Sequence, residues 1–352
     1  MIEKNCSLKA FNSFSIDASA HLLFHFSTLE QLPALLALIK QTRAENRPVL
    51  VLGGGSNTLF CEDFDGLVIK VELMGITIND TGDAYQLQVA AGEDWHQLVE
   101  NTVEQGVNGL ENLALIPGVV GAAPVQNIGA YGVEFKDFCE RVDYIDLIDG
   151  ELKTLSSSDC LFAYRDSIFK GKLKDRALIT SVTLNLTKQW KPLCRYGLLQ
   201  SLNETEYSVT ALQIFDNVCR IRSEKLPDPK LLGNAGSFFK NPVVSTNLCQ
   251  QLLSQHPDMP NYPQTDDCVK LAAGWLIDQC GLKGYQMGGA AVHQDQALVL
   301  INKGGAAAED VIQLAAYVRE QVLQKFAVSL EHEVRFIDAQ GETQLQQVIK
   351  HV

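Results

Sequence analysis

Two prolines separated by a single residue constrain this chain more than any other feature. In LPDPK, residues 226–230, Pro227 and Pro229 cannot continue the helical pattern of ALQIFDNVCRIRSEK that runs up to Lys225. The helix must stop there and a new unit begin. At 352 residues with 46% hydrophobic side chains the chain can build two or three cores, so a break of this kind reads as a domain boundary. Directly beyond it comes GNAGSFFKNP, residues 233–242, in which small residues leave the backbone open up to Ser237 and two phenylalanines then begin an apolar anchor. A glycine turn entering a strand and a hydroxyl presented at a cavity wall both fit that pattern. The surroundings favour the second. Residues 220–240 carry five cations (Arg220, Arg222, Lys225, Lys230, Lys240) against Glu224 and Asp228, in a chain whose net charge is −13. A cationic island in an acidic protein suits a held anion.

Composition narrows the remaining classes. The negative charge is spread along the chain and no Lys/Arg-rich run or zinc-finger spacing occurs, which argues against nucleic acid. Nine scattered cysteines without a CxxC pair fit reduced thiols in a cytoplasm and no structural metal. The first twenty residues lack an apolar core and no later run reaches bilayer length, so a cytoplasmic protein without a membrane segment is expected.

Earlier in the chain, a strand over 21–26 precedes a helix to about Glu45, with Ser27 and Glu30 spaced as a capping box and Leu29, Leu32, Leu35, Leu36 and Ile39 as its core face. The short apolar strand Val49 to Leu52 ends in GGGSN, Gly53 to Asn57. Its row of exposed amides suits a pyrophosphate, and an ordinary hairpin turn fits equally. Thr58 stands where a Rossmann fingerprint needs its third glycine, so that fold is excluded. Strands near 67–71, 75–79 and 85–91 lead to a helix capped by Asp94. The α+β layering continues into IPGVVGAAPVQNIGAYG, residues 116–132, with four Gly, two Pro and no charged residue. Such a segment suits backbone packed against a flat apolar ligand, with Gln126, Asn127 and Tyr131 as polar contacts. In AYRDSIFK, residues 163–170, Arg165 is either half of a surface pair with Asp166 or a fixed guanidinium for a carboxylate. A last strand is expected over 328–337, with Glu331, Glu333 and Arg335 on the face opposite His332, Val334 and Phe336.

Taken in order, GGGSN, QNIGAYG, AYRDSIFK, GNAGSFFKNP and EHEVRF make the chain resemble the UDP-N-acetylenolpyruvoylglucosamine reductase family, over nearly all of residues 14–336. It is similar to the longer subtype, which carries a tyrosine in the loop around Tyr262. One departure is His332, where relatives often have Pro. The resemblance implies an α+β fold of the FAD-binding PCMH (vanillyl-alcohol-oxidase) type. FAD-binding subdomain 1 would span 1–73, joined by 328–352, and subdomain 2 would span 74–210. A C-terminal α+β substrate-binding domain would span 225–327.

It also implies the activity: NADPH reduces FAD, and hydride then passes to the enolpyruvyl group of UDP-N-acetyl-3-O-(1-carboxyvinyl)glucosamine, giving UDP-N-acetylmuramate for peptidoglycan. By motif match Ser237 is the proton donor, while Glu333 and Arg165 hold or polarise the carboxylate. Tyr164, Tyr196, Lys225, Asn241, Tyr262 and Gln296 fall at substrate positions. Gly53, Gly54, Gly55, Ser56, Asn57, Pro117, Gly118, Gln126, Asn127, Gly129 and Ala130 fall at flavin positions. Neither flavin loop offers a His or Cys, so non-covalent FAD is expected, in a monomer. Two alternatives stay open: a flavin-dependent alcohol oxidase of the same superfamily, and a sugar-nucleotide or flavin-binding sensor without turnover.

Overall fold

The computed structural model describes residues 2–195, 197–204, 209–264 and 267–349. The chain forms two units: Met1–Cys6 with Ala20–Gly54 and Asp65–Glu224, and Ser7–Ser19 with Gly55–Phe64 and Lys225–Val352. The change after Glu224 falls beside the two prolines, where the helix Ala211–Lys225 ends.

In the first unit a four-stranded sheet runs in the order Ile2–Ser7, Ser19–Phe26, Phe64–Val71, Val49–Leu52. Its last two strands are parallel, with Val49 opposite Leu67. Parallel neighbours cannot be joined by a tight turn. Here the connecting chain leaves the unit after Gly54 and rejoins it at Asp65. A second, antiparallel sheet runs Leu152–Ser156, Cys139–Asp146, Ala177–Thr187, Ala84–Ala90, Ile76–Asp80. Alternation sets its inner face: Val182 stands opposite both Val89 and Val142, and all three are fully buried. The helix Trp95–Glu104 starts where the Asp94 side chain accepts from the Gln97 amide at 2.9 Å, and it buries Trp95, Leu98 and Val99.

The second unit has a sheet in the order Asn234–Ser237, Val299–Asn302, Ala290–Val292, Gln286–Met287, and smaller sheets around Cys268–Leu271 and Arg335–Asp338. Arg335–Asp338 runs parallel to Thr58–Phe60, with Phe336 opposite Leu59. The helix Ala308–Phe326 buries Val311, Leu314, Val318 and Val322, the face its periodicity gives. At the centre the Phe238 ring meets Phe14, Phe239 and Phe336 edge-on, with centroids 6.2, 5.1 and 5.8 Å away.

Two local expectations shift. The first capping residue is Thr28: the Gln31 carboxamide accepts from the Ser27 and Thr28 amides, a short 3₁₀ turn Leu29–Gln31 follows, and the α-helix starts only at Leu32. Leu29, ahead of the helix, is therefore half exposed instead of core. The last strand begins at Arg335 and not at Val328, because residues 331–333 bond to another segment, 238–240. The alternation survives: Val334 and Phe336 are fully buried and Glu333 and Arg335 are not.

The strand Cys139–Asp146 ends on a fully buried carboxylate. Arg176 Nε donates to its two oxygens at 2.8 and 2.9 Å, Lys153 Nζ donates at 2.8 Å and the Ile148 amide at 3.1 Å. The Arg176 guanidinium, with Lys153 behind it, holds the Asp146 carboxyl far below the usual carboxylate range. A depressed folded-state pKa stabilises the native form above the unfolded value of about 3.9, and that contribution is lost as pH falls towards the folded value. Asp146→Asn should cost about 2 kcal/mol in urea unfolding at pH 7, and the gap from the unmodified protein should narrow steadily below about pH 4.

Candidate active site

In the first unit the two glycine-rich stretches meet backbone to backbone. A Cβ placed on Gly54 would lie 3.0 Å from the Gly118 Cα, and one on Gly53 would lie 2.8 Å from a Val119 methyl. The turn Val120–Ala122 is pressed equally hard onto the antiparallel sheet, since a Cβ on Gly121 would come within 2.5 Å of the Ala91 Cβ. Side chains are thus excluded from this junction. Gly54 and Pro117 remain exposed beside it. Beyond, Gly129–Ala130 pairs with Val133–Glu134 around Tyr131 and Gly132, whose φ angles of +49° and +85° suit a two-residue hairpin turn.

Asn127 lies inside this loop, fully buried at φ +43°. Its carboxamide is spent within the protein: Nδ2 donates to Glu134 Oε2 at 3.0 Å and to the Ala163 carbonyl at 3.1 Å, and Oδ1 accepts from the Lys136 amide at 3.0 Å. Of the flavin candidates in this loop, Asn127 can offer a ligand only its main chain. Arg165 sits on a tight turn closed by Ala163 and Asp166, which exchange both main-chain bonds. Its φ is +54°, its Nη2 donates to the Gly129 carbonyl at 3.1 Å, and its guanidinium lies 5.4 Å from the Tyr164 ring centre. The Arg165 side chain is therefore tied to the neighbouring loop through Gly129.

A second arginine, from the cationic stretch 220–240, lies in the same unit. Arg222, on the helix Ala211–Lys225, donates Nη2 to the Leu115 carbonyl at 3.2 Å, while its Nε is buried with no hydrogen-bond partner among the described residues. Burial pulls its guanidinium below the ordinary value; nearby Tyr131 and Cys219 oppose that, and the positive charge of Arg165 adds to it. Burial in turn pushes the Tyr131 phenol up. Arg165 and Arg222 thus set two guanidiniums against a segment, 116–132, that has no acidic residue of its own. The glycine junction and the unspent Arg222 Nε fit a flat ligand that carries phosphates and takes up negative charge on its ring, as FAD does.

The second unit contains Ser237, Glu333 and several of the other candidates. Gly236, at φ +69°, faces open space, and the approach to it is shaped by buried Asn234, which donates to the Pro227 and Leu232 carbonyls and accepts from the Gly236 amide. Ser237 lies opposite Val299, and Gln296 starts that same edge, accepting from the Val299 amide through its carbonyl. The Glu333 amide donates to the Phe238 carbonyl at 2.8 Å, and Lys240 donates to the Glu331 carbonyl at 2.9 Å. These bonds hold Ser237 and Glu333 on adjoining segments. Asn57 joins them: Nδ2 donates to the Glu333 carbonyl at 3.2 Å, and its own carbonyl accepts from the Arg335 amide at 3.0 Å. Gly55 is obligatory there, because at φ +63° a Cβ would fall 1.9 Å from the Phe11 carbonyl oxygen. Ser56 is half-buried between them.

Asn241 caps the helix Ala273–Gln279 by accepting from the Ala273 amide at 2.9 Å. Tyr262 is 46% exposed on the strand Asn261–Pro263, and Lys225 is exposed at its helix end. Tyr196 lies outside the described residues. His332 is turned to the Val334 carbonyl and the Gln344 side chain, with its ring on Phe336. Among the described residues no cluster suits a metal ion and no helix is long and apolar enough to cross a membrane.

The backbone junction at Gly54 is testable. Gly54→Val should yield protein that purifies with at least tenfold less flavin per chain, read from its visible absorbance, while its far-ultraviolet circular dichroism stays unchanged.

Comparison with known proteins agrees with both halves of this picture. An FAD binding domain profile matches residues 25–156, and the profile of the C-terminal domain of UDP-N-acetylenolpyruvoylglucosamine reductase matches 228–337. The chain is 56% identical over 338 residues to the UDP-N-acetylenolpyruvoylglucosamine reductase of Escherichia coli O157:H7, covering 96% of this chain and 97% of that protein. It is 51% identical over 348 residues to that of Photobacterium profundum, covering 99% of each. The crystal structure of the Thermus caldophilus enzyme superposes with a TM-score of 0.65 at 25% identity, covering 96% of this chain and 98% of that one. With a relative at this identity aligned end to end, the chain belongs to the UDP-N-acetylenolpyruvoylglucosamine reductase family.

Proposed function

We propose that Ser237, Glu333 and Arg165 carry the chemistry of this reductase. The chain is an FAD-containing oxidoreductase that uses NADPH to reduce the enolpyruvyl group of UDP-N-acetyl-3-O-(1-carboxyvinyl)glucosamine, making UDP-N-acetylmuramate for peptidoglycan synthesis. FAD, when bound, supplies the hydride that NADPH has delivered to it. The residues of this chain must do the rest. Hydride addition at the methylene carbon drives negative charge onto the neighbouring carbon and its carboxylate, so fixed donors and one proton source are needed.

Arg165 offers a guanidinium braced by its own turn and by Gly129, which is a donor fixed before substrate arrives. Glu333 and Ser237 are supported as a pair by one observation above all, the 2.8 Å bond from the Glu333 amide to the Phe238 carbonyl. A serine hydroxyl is a weak acid, and it serves here because the carbon it protonates is strongly basic. The oxyanion it leaves is returned to neutrality by a proton from solvent. Arg222, with its buried Nε, is assigned to the electron-rich edge of the reduced flavin. Gly53, Gly54, Gly118 and the main chain around Ser56, Asn57 and Gly129 are assigned to flavin contact. Tyr164, Tyr196, Lys225, Asn241, Tyr262 and Gln296 are assigned to the substrate. The division into two FAD-binding subdomains and a substrate domain, a cytoplasmic site of action, a monomeric state and non-covalent flavin belong to the same reading. The Cys61 thiol, pushed up to about 12 by burial, supports the last point, since a protonated thiol is a poor nucleophile.

Separate half-reactions test the assignment. Ser237→Ala should leave anaerobic bleaching of the flavin by NADPH within about threefold of normal. It should slow reoxidation by the enolpyruvyl substrate by several powers of ten, a loss on the scale of other essential catalytic groups. Equal loss in both half-reactions would remove Ser237 from the role.

A further inference from the structure

We infer that Asn127 and Ser167 are positioning residues that set the reach of Arg165 by stitching its turn onto the 125–129 loop. This deepens the assignment of Arg165 to the substrate carboxylate and rests on it. Three side-chain bonds to main-chain carbonyls cross between the two segments, meeting the loop at 125, 127 and 129 and the turn at 167, 163 and 165. Ser167 Oγ donates to the Val125 carbonyl at 2.6 Å, Asn127 Nδ2 to the Ala163 carbonyl at 3.1 Å, and Arg165 Nη2 to the Gly129 carbonyl at 3.1 Å. The stitches alternate in direction, two running from the turn to the loop and one back, so neither segment can slide without breaking all three.

The sites at both ends of the stitching are unusually determined. Asn127 and Arg165 are non-glycine residues at φ +43° and +54°, a conformation that surrounding contacts must hold. Asn127 and Ser167 are buried, 0% and 5% exposed. Ser167 also caps the following turn by accepting from the Phe169 amide at 3.2 Å, and Lys170 Nζ donates to the Arg165 carbonyl at 3.1 Å. A long, flexible arginine reaching a developing carboxylate charge loses little entropy only if its base is fixed in advance. The buried amide and hydroxyl fix that base without touching the ligand themselves.

Asn127 has a second demand on it. Its Nδ2 also donates to Glu134 Oε2, a carboxylate paired with Lys136 Nζ at 2.7 Å. Asn127→Asp is therefore a sharp probe: nearly the same shape, but it sets an acceptor against the Ala163 carbonyl and a second carboxylate beside Glu134. Adding Glu134→Gln removes the like-charge conflict and restores a donor to that side, leaving the Ala163 stitch and the Glu134–Lys136 ion pair as the interactions lost.

The experiment combines half-reaction kinetics with hydrogen–deuterium exchange across residues 160–170. Asn127→Asp should slow reoxidation by the enolpyruvyl substrate 10- to 100-fold at pH 8, with recovery towards pH 5 as the new carboxyl pair takes up a proton. Bleaching by NADPH should change less than threefold, and amide exchange around Arg165 should accelerate at least tenfold. Ser167→Ala, a milder change that keeps the fold if Asn127→Asp does not, should slow reoxidation 3- to 10-fold with the same selectivity. In an Arg165→Ala background either substitution should cost less than twofold further, because residues acting through one partner are not additive. If Arg165→Ala slows reoxidation and the Asn127 and Ser167 substitutions still exact their full cost on top of it, or if all variants slow both half-reactions alike, the positioning role is overturned while Arg165 keeps its own. If Arg165→Ala leaves reoxidation unchanged, the assignment of Arg165 and the positioning role fall together.

Discussion

The pairing of residues 331–333 with 238–240 is the constraint on which the second unit's chemistry depends. Two main-chain bonds, from the Glu333 amide to the Phe238 carbonyl and from Lys240 to the Glu331 carbonyl, lie on either side of a buried aromatic cluster. The Phe238 ring cannot move without displacing Phe14, Phe239 and Phe336, and rigid packing of this kind transmits small shifts instead of absorbing them. A hydroxyl one residue before Phe238 and a carboxylate on the paired segment are therefore set in place by apolar packing more than by polar contacts of their own. That is how a serine, which gains nothing from its intrinsic acidity, becomes useful as a proton source.

The first unit solves a different problem. Its glycine-rich segments approach so closely that a single methyl at Gly54 would meet backbone, and the loop 116–132 keeps its order through side chains that bond inward, Asn127 above all. Open backbone for a flat ligand and firm support for that backbone are competing demands, since every polar side chain given to support is withdrawn from the ligand. Asn127 and Ser167 are spent on support; Arg222, whose Nε has no hydrogen-bond partner among the described residues, is held back for something else. Buried cations persist only where a compensating negative charge is supplied.

The family, the α+β class, the helix stop at the two prolines and the individual motifs were all legible in the sequence, because each rests on local chemistry. Proline has no amide hydrogen to give at 227 and 229, and a two- or 3.6-residue period reports which face is apolar. The alternation of Val334 and Phe336 against Glu333 and Arg335 could be read for the same reason even though the strand starts seven residues later than its pattern suggests. The early part of that pattern was claimed by a different partner, and partners are not written into periodicity.

What folding decided was how each polar group is spent. Asn127 in a glycine-rich loop looks like a ligand contact, and only the arrival of Glu134, Lys136 and Ala163 around it shows that its carboxamide is consumed by the protein. Arg165 beside Asp166 gives no hint in the sequence of the bond to the Gly129 carbonyl, which the turn at Ala163 and Asp166 brings within reach. Arg222 is one cation among five in a list, and becomes distinctive once its Nε is buried. Residue type and spacing fix the donors and acceptors available to a chain; which of them remain for chemistry depends on contacts between residues far apart in sequence, and those exist only in the folded protein.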